Sequence, residues 1–410
     1  MSSWLPPRCF RKPVRPLRLF RTISTTSSRR QSDHVRIVEV GPRDGLQNEK
    51  QTIPLNTKIE LCERLVGTGL KTVEAGSFVA PKWVPQMDNS NNILEHVLQT
   101  PPSASHDVSY QWLLPNQKGL DRFLATCEAF SQSFGAMASY PTPPPSPSPT
   151  NDQGPSLNTS TQDPNAMPSS TRGLPSTSPN SSTFSFPPNT SHEISLFCAA
   201  TESFSHRNTN CSIAESLSRF RPLITTAKSH GLKARAYISV ALGCPFEGPD
   251  APSPTTVADI ATSLLEMGAD EISVADTTGM GTAPRTEALL KALSAAGVRT
   301  EDLALHFHDT YGMALVNALV SLNHGVRVFD AAVGGLGGCP FSPGATGNVA
   351  TEEMVYFMES LGLRTGVDLG EVARIGEWIS GELGRDYRVG SRVGKAKLSR
   401  EKWLEEKGKG

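Results

Sequence analysis

Eight short apolar runs, separated by amphipathic stretches, constrain the fold of this chain more than any other feature. The runs are Val35–Val40, Lys71–Ala75, Tyr110–Leu114, Glu193–Cys198, Lys233–Leu242, Glu271–Ala275, Leu303–Phe307 and Val328–Val333. Strands that alternate with helical patterns predict βαβ units and a parallel sheet. Eight such units predict an α/β fold of the (β/α)8 TIM-barrel type. A doubly wound open sheet is the alternative, but the first run is not followed by the GxGxxG motif of its dinucleotide-binding version.

We place the catalytic barrel at residues 33–385, with a charged C-terminal tail at 386–410. Residues 1–32 contain seven arginines, many serines and threonines and no acidic residue. This composition is typical of a mitochondrial transit peptide, and it predicts a location in the mitochondrial matrix.

A Pro/Ser/Thr-rich segment at 141–190 interrupts the barrel between the third and fourth runs. It has 13 prolines, 11 serines and eight threonines but only three charged residues. Such a segment can bury little apolar area, so we expect a disordered insertion on the face opposite the catalytic loops. A spacer, a ligand for proline-binding domains and a mispredicted intron are the interpretations left open.

Composition excludes several classes of function. A net charge of -1 gives no nucleic-acid footprint, and no apolar run approaches the ~18 residues of a membrane span. Seven cysteines at irregular spacing, without a CxxC pair, indicate reduced thiols inside the cell. We therefore expect no nucleic-acid and no membrane partner.

His306 and His308 lie two positions apart at the end of the seventh run, in the stretch "LHFHDTYG". Alternate residues of a strand project to the same face, so both imidazoles can point into the barrel mouth. A core histidine satisfied by hydrogen bonds is the alternative for either one alone. Together with a carboxylate oxygen, the pair favours a divalent-cation site.

Other polar residues follow the ends of other runs. Arg43 and Asp44 follow a Gly-Pro break after the first run, and Glu74 is the last residue but one of the second. Catalytic residues of barrel enzymes collect at this end, although an Arg–Asp pair there can also be a plain salt bridge.

A glycine-rich loop follows the eighth run, with six glycines between Gly334 and Gly347. Cys339 lies in its centre, where a thiol can donate or accept a proton; a buried, inert cysteine is the alternative. Asn348 precedes a helical pattern and is either an N-cap or an amide ligand of a cation.

Five long motifs in this order resemble those of the hydroxymethylglutaryl-CoA lyase family, from Val35 to about Leu369. They are "VEVGPRDGLQNEK", "GSFVAPKWVPQMD", "ALGCPFEG", "HFHDTYGMAL" and "GGLGGCPFSPGATGNVATEE". The resemblance implies a metal-dependent barrel that cleaves 3-hydroxy-3-methylglutaryl-CoA to acetyl-CoA and acetoacetate, in leucine catabolism and ketone-body formation. It also implies a homodimer.

The resemblance further assigns roles to individual residues. Mg²⁺ or Mn²⁺ is the implied cofactor, with Zn²⁺ formally open because two ligands are imidazoles. Arg43 is expected to stabilise the enolate, Cys339 to act as the catalytic thiol, and Asp44 or His306 to take the hydroxyl proton. The implied metal ligands are Asp44, His306, His308 and Asn348. The implied substrate-binding residues are Arg43, Gln47, Glu74 and Asp276.

Two other functions compete with this interpretation. A citramalate- or isopropylmalate-type synthase runs the condensation direction, but it usually carries a C-terminal regulatory domain, for which few residues remain. A catalytically idle scaffold would use its proline-rich segment to recruit partners. That interpretation requires loss of the site residues, and all of them are present.

Overall fold

The computed structural model describes residues 33–100, 102, 104–138, 184, 186–338 and 347–408. Most of the predicted insertion at 141–190 and the predicted transit peptide therefore lie outside the described residues. No helix within the described ranges is long and apolar enough to cross a bilayer.

Eight parallel strands form a closed barrel, in which each strand pairs with the next and β8 pairs with β1. The predicted TIM barrel is confirmed, and the predicted strand ends agree with the structure to within a few residues. The strands are β1 Arg36–Glu39, β2 Thr72–Ser77, β3 Val108–Leu113, β4 Thr190–Ala199, β5 Lys233–Ser239, β6 Glu271–Asp276, β7 Leu303–Phe307 and β8 Val328–Ala331.

Helices surround the barrel and connect its strands. Helix α9 follows β8, and α10 lies between α9 and α1, where it completes the ring. The helices are α1 Leu55–Gly67, α2 Ser90–Gln99, α3 Gln117–Ala138, α4 Glu202–Thr209, α5 Ile213–Ser229, α6 Pro254–Glu266, α7 Ala283–Ala295, α8 Ala314–Asn323, α9 Thr351–Ser360, α10 Leu369–Glu382, α11 Tyr387–Gly390 and α12 Arg392–Gly408.

The strands are short apolar runs because both of their faces are buried. All five residues of β7 are buried, for example, as parallel strands covered by helices require. Within β5, Ala234, Ala236 and Ile238 alternate with Arg235 and Tyr237, and all five are buried. The period of two separates apolar residues that face the helices from polar residues that face the barrel interior.

The structure corrects two predicted boundaries. Strand β4 already begins at Thr190, and the Phe186 ring lies 4.4 Å from the His192 ring, so the last residues of the 141–190 range belong to the folded barrel. The segment 386–410 is not a separate tail, because its described part forms α11 and α12. Tyr387 and Leu398 from these helices are buried against Ala373 of α10. Both boundaries depend on packing between residues far apart in the sequence, which cannot be predicted from amino-acid composition.

Candidate metal centre and active site

The chain leaves β1 through a tight π-helical turn, Gly41–Gly45, which begins with a Gly-Pro pair. The backbone N–H groups of Arg43, Asp44 and Gly45 all donate to the Val40 carbonyl, at 3.2, 2.7 and 3.2 Å. This turn holds the Arg43 and Asp44 side chains at the C-terminal mouth of the barrel.

A short antiparallel bridge brings the ends of β7 and of the glycine-rich loop together. His308 pairs with Asn348, and this pairing is supported by Val349 N–H donating to the Phe307 carbonyl at 3.0 Å. His306 lies inside β7, two residues earlier, with its ring centroid 5.3 Å from that of His308. The two imidazoles therefore share one face, as the i, i+2 spacing predicts.

Asp44, His306 and His308 form a compact cluster in which one ligand-type atom from each residue lies within 4.8 Å of the others. Asn348 joins them, since its Nδ2 donates to Asp44 Oδ2 at 2.9 Å. The structure thus brings together all four residues that the resemblance names as metal ligands. The alternative role of Asn348 is wrong: α9 begins at Thr351, and Ala350 is its N-cap residue.

Arg43 is buried beside this cluster and is held by two carboxylates. Its Nη1 contacts Asp44 Oδ1 at 2.7 Å, and its Nη2 contacts Glu74 Oε2 at 2.6 Å. Glu74 is itself fully buried and accepts hydrogen bonds from Ser195 Oγ at 2.7 Å and Tyr237 Oη at 3.1 Å. The Arg43 guanidinium is therefore fixed at the barrel mouth by salt bridges to Glu74 and to Asp44, which is a member of the cluster.

Gln47 contacts the cluster directly, whereas Asp276 ends the strand next to the one that carries His306. Gln47 Nε2 donates to Asp44 Oδ1 at 2.8 Å. Asp276 ends β6, and its Oδ2 accepts from Gly281 N–H at 2.9 Å. Burial raises the pKa of Asp276 to about 7, although the hydrogen bonds from the following turn oppose this effect.

Two of the three pKa shifts within the cluster suit a cation, and the third does not. Burial would lower the pKa of His306, but the hydrogen bond and charge of Asp330, together with the charge of Asp44, outweigh burial and raise that pKa. Burial lowers the pKa of His308 to about 4, and neighbouring His306 adds to this effect, so the His308 ring is neutral near neutral pH. Burial alone would raise the pKa of Asp44, but the charges of Arg43, His306 and His308 outweigh it and lower that pKa. A neutral imidazole and an ionised carboxylate are the protonation states that bind metals.

A buried network of hydrogen bonds and ion pairs, which we did not predict from the sequence, holds the His306 ring in place. The Asp330 carboxylate contacts His306 Nδ1 at 3.2 Å, accepts from Ser273 Oγ at 2.8 Å and contacts Arg235 Nη2 at 2.6 Å. Arg235 Nη1 in turn donates to Tyr237 Oη at 3.2 Å. The only sequence signal was a charged residue in the middle of an apolar strand, as in "RVFDAAV".

The donor set fits a divalent cation. His308 Nδ1 and Asn348 Oδ1 are buried, and neither has a hydrogen-bond partner among the described residues. Buried polar atoms without a partner are rare in native structures and require an explanation, such as an ion. One carboxylate, one amide oxygen and two imidazoles form a mixed set of oxygen and nitrogen donors for a divalent cation. Cys339 lies outside the described residues.

Comparisons with known proteins agree with the geometry. The HMGL-like family model matches residues 183–379. A mitochondrial hydroxymethylglutaryl-CoA lyase from Arabidopsis thaliana is 41% identical over 351 residues, which are 86% of this chain and 60% of the relative. A 3-hydroxy-3-isohexenylglutaryl-CoA/hydroxy-methylglutaryl-CoA lyase from Pseudomonas aeruginosa is 40% identical over 366 residues, which are 89% of this chain and 98% of the relative.

Solved structures include the hydroxymethylglutaryl-CoA lyase of Pseudomonas aeruginosa. It is 39% identical to this chain with a TM-score of 0.70, and the match covers 90% of this chain and 99% of that structure. Sequence similarity and fold similarity thus extend over nearly the whole of both proteins. The chain belongs to the hydroxymethylglutaryl-CoA lyase family of carbon–carbon lyases.

Proposed function

We propose that this protein cleaves 3-hydroxy-3-methylglutaryl-CoA to acetyl-CoA and acetoacetate with the help of a bound Mg²⁺ or Mn²⁺. The observation that carries the proposal is the convergence of Asp44, His306, His308 and Asn348 at one point of the barrel mouth. These four side chains would hold the cation. When bound, a divalent cation lowers the pKa of a coordinated hydroxyl group and orients the bond that breaks.

Asp44 or His306 accepts the proton of the tertiary hydroxyl group. Both lie in the cluster, and His306 is fixed by its contact with Asp330, so its second ring nitrogen is left for the site. Orientation of one imidazole nitrogen by a carboxylate on the other is a common arrangement for metal-ligating and proton-accepting histidines.

Arg43 stabilises the negative charge that develops when the carbon–carbon bond breaks. Two carboxylates already hold its Nη1 and Nη2, while its Nε has no hydrogen-bond partner in the part of the chain that the structure describes. A preorganised donor in a water-poor site stabilises a developing oxyanion without reorganisation during the reaction. Glu74 and Asp44 fix the donor and Tyr237 lies under its guanidinium, 5.5 Å from the ring centroid.

Protonation of the acetyl-CoA enolate at carbon needs an acid, and we assign this role to Cys339 of the glycine-rich loop. Support comes from its position in the sequence, one residue after Gly338, whose carbonyl accepts from Asn48 Nδ2 at 2.9 Å. The remaining substrate contacts are assigned to Gln47, Glu74 and Asp276. The Cys339→Ala variant should lose turnover while substrate binding is retained.

The proposal also covers the cellular location and the oligomeric state of the enzyme. We place the enzyme in the mitochondrial matrix, with residues 1–32 as its transit peptide, because of their arginine-rich composition and the mitochondrial relative in Arabidopsis. We also expect a homodimer, which analytical ultracentrifugation would test. A fluorescent protein fused to residues 1–32 should enter mitochondria, and a fusion that stays in the cytosol would contradict the targeting role.

An assay for acetoacetate release tests the function directly. The purified protein should release acetoacetate from 3-hydroxy-3-methylglutaryl-CoA, lose this activity after treatment with EDTA and regain it when Mg²⁺ or Mn²⁺ is added. Addition of Zn²⁺ alone distinguishes the hard cations from zinc. Cleavage that continues at the full rate in excess chelator would remove the metal from the proposal, and no cleavage in any condition would remove the substrate assignment.

A further inference from the structure

The turn that follows β8, Val333–Gly338, is held by two buried glutamates from different parts of the chain. Val333 N–H donates to Glu39 Oε1 at 2.9 Å. The next backbone N–H, of Gly334, donates to both carboxyl oxygens of Glu352, at 3.1 and 3.0 Å. Both glutamates are fully buried, so these hydrogen bonds form in a low-dielectric interior, where they are strong.

The C-terminal helices reach the same turn. Tyr387, the first residue of α11, donates its hydroxyl to Glu352 Oε1 at 2.8 Å. Gly390, the last residue of α11, packs so closely on the turn that a Cβ atom at Gly335 would lie 2.5 Å from the Gly390 carbonyl oxygen. Gly334 and Gly335 have positive φ angles of 63° and 60°, which suit glycine and fix the path of the turn.

Glu353 anchors these helices to the barrel. Its carboxylate accepts from Ser391 Oγ at 2.8 Å and from the backbone N–H groups of Arg392 and Val393 at 2.7 and 3.1 Å. A carboxylate at these positions satisfies the free N–H groups at the start of α12 and interacts favourably with its dipole. Glu352 therefore connects the β8–α9 turn, Val333–Gly338, to α11, and the next residue, Glu353, holds the start of α12 to α9.

The other end of the turn reaches the candidate metal centre. The Leu336 carbonyl accepts from Asn348 Nδ2 at 3.0 Å, and the same Nδ2 donates to Asp44 Oδ2 at 2.9 Å. These two contacts use both amide hydrogens of Asn348. They fix its carboxamide plane, so that Oδ1 is left buried and without a partner among the described residues.

We propose that Tyr387 and Glu352 are positioning residues that hold the β8–α9 turn and, through Leu336, the Asn348 amide in the orientation that binds the cation. The inference rests on the proposed function, because it takes Asn348 as a metal ligand. It gives the C-terminal helices a role in the active site, although neither residue contacts the cluster itself. Loss of the Tyr387 hydroxyl frees Glu352, loosens the Gly334 N–H contact and lets the Leu336 carbonyl move.

Binding of Mn²⁺, followed by the electron paramagnetic resonance signal of the free ion, measures the effect without reference to turnover. Groups that orient metal ligands typically change metal affinity by roughly 10–100-fold when removed. Tyr387→Phe should therefore raise the Mn²⁺ dissociation constant about tenfold. The matched control is Tyr356→Phe, which removes the same hydroxyl from an exposed position of α9 and should leave the dissociation constant unchanged.

A pair of substitutions at Glu352 separates positioning from general stability. Burial raises the pKa of Glu352 to about 8. Glutamine keeps one oxygen that can accept from both the Gly334 N–H and the Tyr387 hydroxyl, as Oε1 of Glu352 does. Glu352→Gln should bind Mn²⁺ like the wild type, whereas Glu352→Ala should weaken binding as much as Tyr387→Phe does. Circular dichroism gives the folded fraction to which each measurement is normalised.

The outcomes separate the two proposals. If the wild type binds Mn²⁺, Asn348→Ala weakens binding and folded Tyr387→Phe binds like the wild type, the positioning role is wrong while the metal site stands. If the wild type binds no Mn²⁺, or Asn348→Ala binds as well as the wild type, the metal assignment of the proposed function is wrong. Weakened binding in Tyr387→Phe and Glu352→Ala, with Glu352→Gln normal, supports the inference.

Discussion

The mouth of the barrel and its lower interior both contain buried charged residues, but the two regions satisfy them differently. In the lower interior, Arg235 lies 2.6 Å from Asp330 and 2.9 Å from Glu271, and Arg36 also pairs with Glu271. At the mouth, His308 Nδ1, Asn348 Oδ1 and Asp276 Oδ1 are buried without a partner in the described part of the chain. The lower charges form ion pairs with one another, and the atoms there that lack a hydrogen-bond partner among the described residues include Arg235 Nε and Ser109 Oγ; at the mouth, two such atoms belong to the side chains of the proposed metal centre.

Two buried carboxylates show the same contrast in their pKa values. Burial would raise the pKa of Asp330, but Arg235 and His306 outweigh it and lower that pKa to about 2. Burial also raises the pKa of Asp276, here to about 7, because the hydrogen bonds it accepts from backbone N–H groups compensate only partly. The ionised carboxylate of Asp330 supports the fold, whereas a carboxyl group with a pKa near 7, such as that of Asp276, can exchange a proton at neutral pH.

A buried polar group without a hydrogen-bond partner lowers the stability of the folded protein, and for this reason it indicates a ligand site. A buried polar atom without a partner destabilises a protein by about 1–3 kcal/mol. Two such atoms on paired residues, His308 and Asn348, are therefore tolerated where a ligand satisfies them. Asp330 belongs to both regions, since it pairs with Arg235 on one side and orients His306 on the other.

Replacing one arginine by lysine in each region is the strongest test of this comparison. Arg43→Lys keeps the positive charge but replaces a planar fork by a single ammonium group that cannot contact Asp44 and Glu74 together. Because a transition-state donor is misplaced, kcat should fall by about 10²–10³-fold. Steady-state kinetics check the prediction. A thermal melt measures the accompanying loss of stability, which is expected because buried Glu74 loses part of its pairing.

Arg235→Lys should have the opposite profile. A lysine cannot maintain the contacts with Asp330, Glu271 and Tyr237 together, and breaking a buried ion pair destabilises a protein by about 3–5 kcal/mol. Urea denaturation measures the free energy of unfolding. The loss of kcat in the folded fraction should be smaller than that of Arg43→Lys. If Arg235→Lys were the more damaging to catalysis and the less damaging to stability, the division between the two regions would be wrong.

His192 gives a smaller effect that depends on pH. Burial lowers its pKa to about 3, so the folded protein keeps this ring neutral while the unfolded chain takes up a proton below about pH 6.5. The stability that the neutral ring contributes is present above pH 6.5 and is lost as the pH falls toward 3. Between pH 7 and pH 5 the loss is about 2 kcal/mol.

His192→Asn tests this prediction. Asparagine retains an acceptor for the Trp112 indole N–H, which donates to His192 Nδ1 at 3.0 Å. The free energy of unfolding of the variant should fall less between pH 7 and pH 5 than that of the wild type. His206→Asn, at an exposed histidine, is the matched control and should follow the wild-type profile. An unchanged pH dependence in His192→Asn would show that other groups cause it.

The barrel was predictable from the sequence because its signals are local. Eight apolar runs became eight strands, and the i, i+2 spacing of His306 and His308 placed both imidazoles on one face. The predicted cluster of Asp44 with these histidines formed because the ends of parallel strands meet at the same rim.

What the sequence did not reveal depends on distant partners. The start of α9 at Thr351, rather than directly after Asn348, follows from the pairing of Asn348 with His308. Neither Asp330 nor Tyr387 was recognisable from a sequence motif, because their roles arise from contacts with residues far along the chain. The packing of α11 and α12 on α10 was hidden by the high charge of residues 386–410.

The central claim is that Asp44, His306, His308 and Asn348 share one divalent cation. Crystals grown with Mn²⁺, measured near its absorption edge, test it most directly through the anomalous difference map. We expect one strong peak at the barrel mouth, within about 2.0–2.4 Å of an oxygen or nitrogen atom from each of the four side chains. A peak bound elsewhere, with these four side chains contacting only one another, would contradict the account.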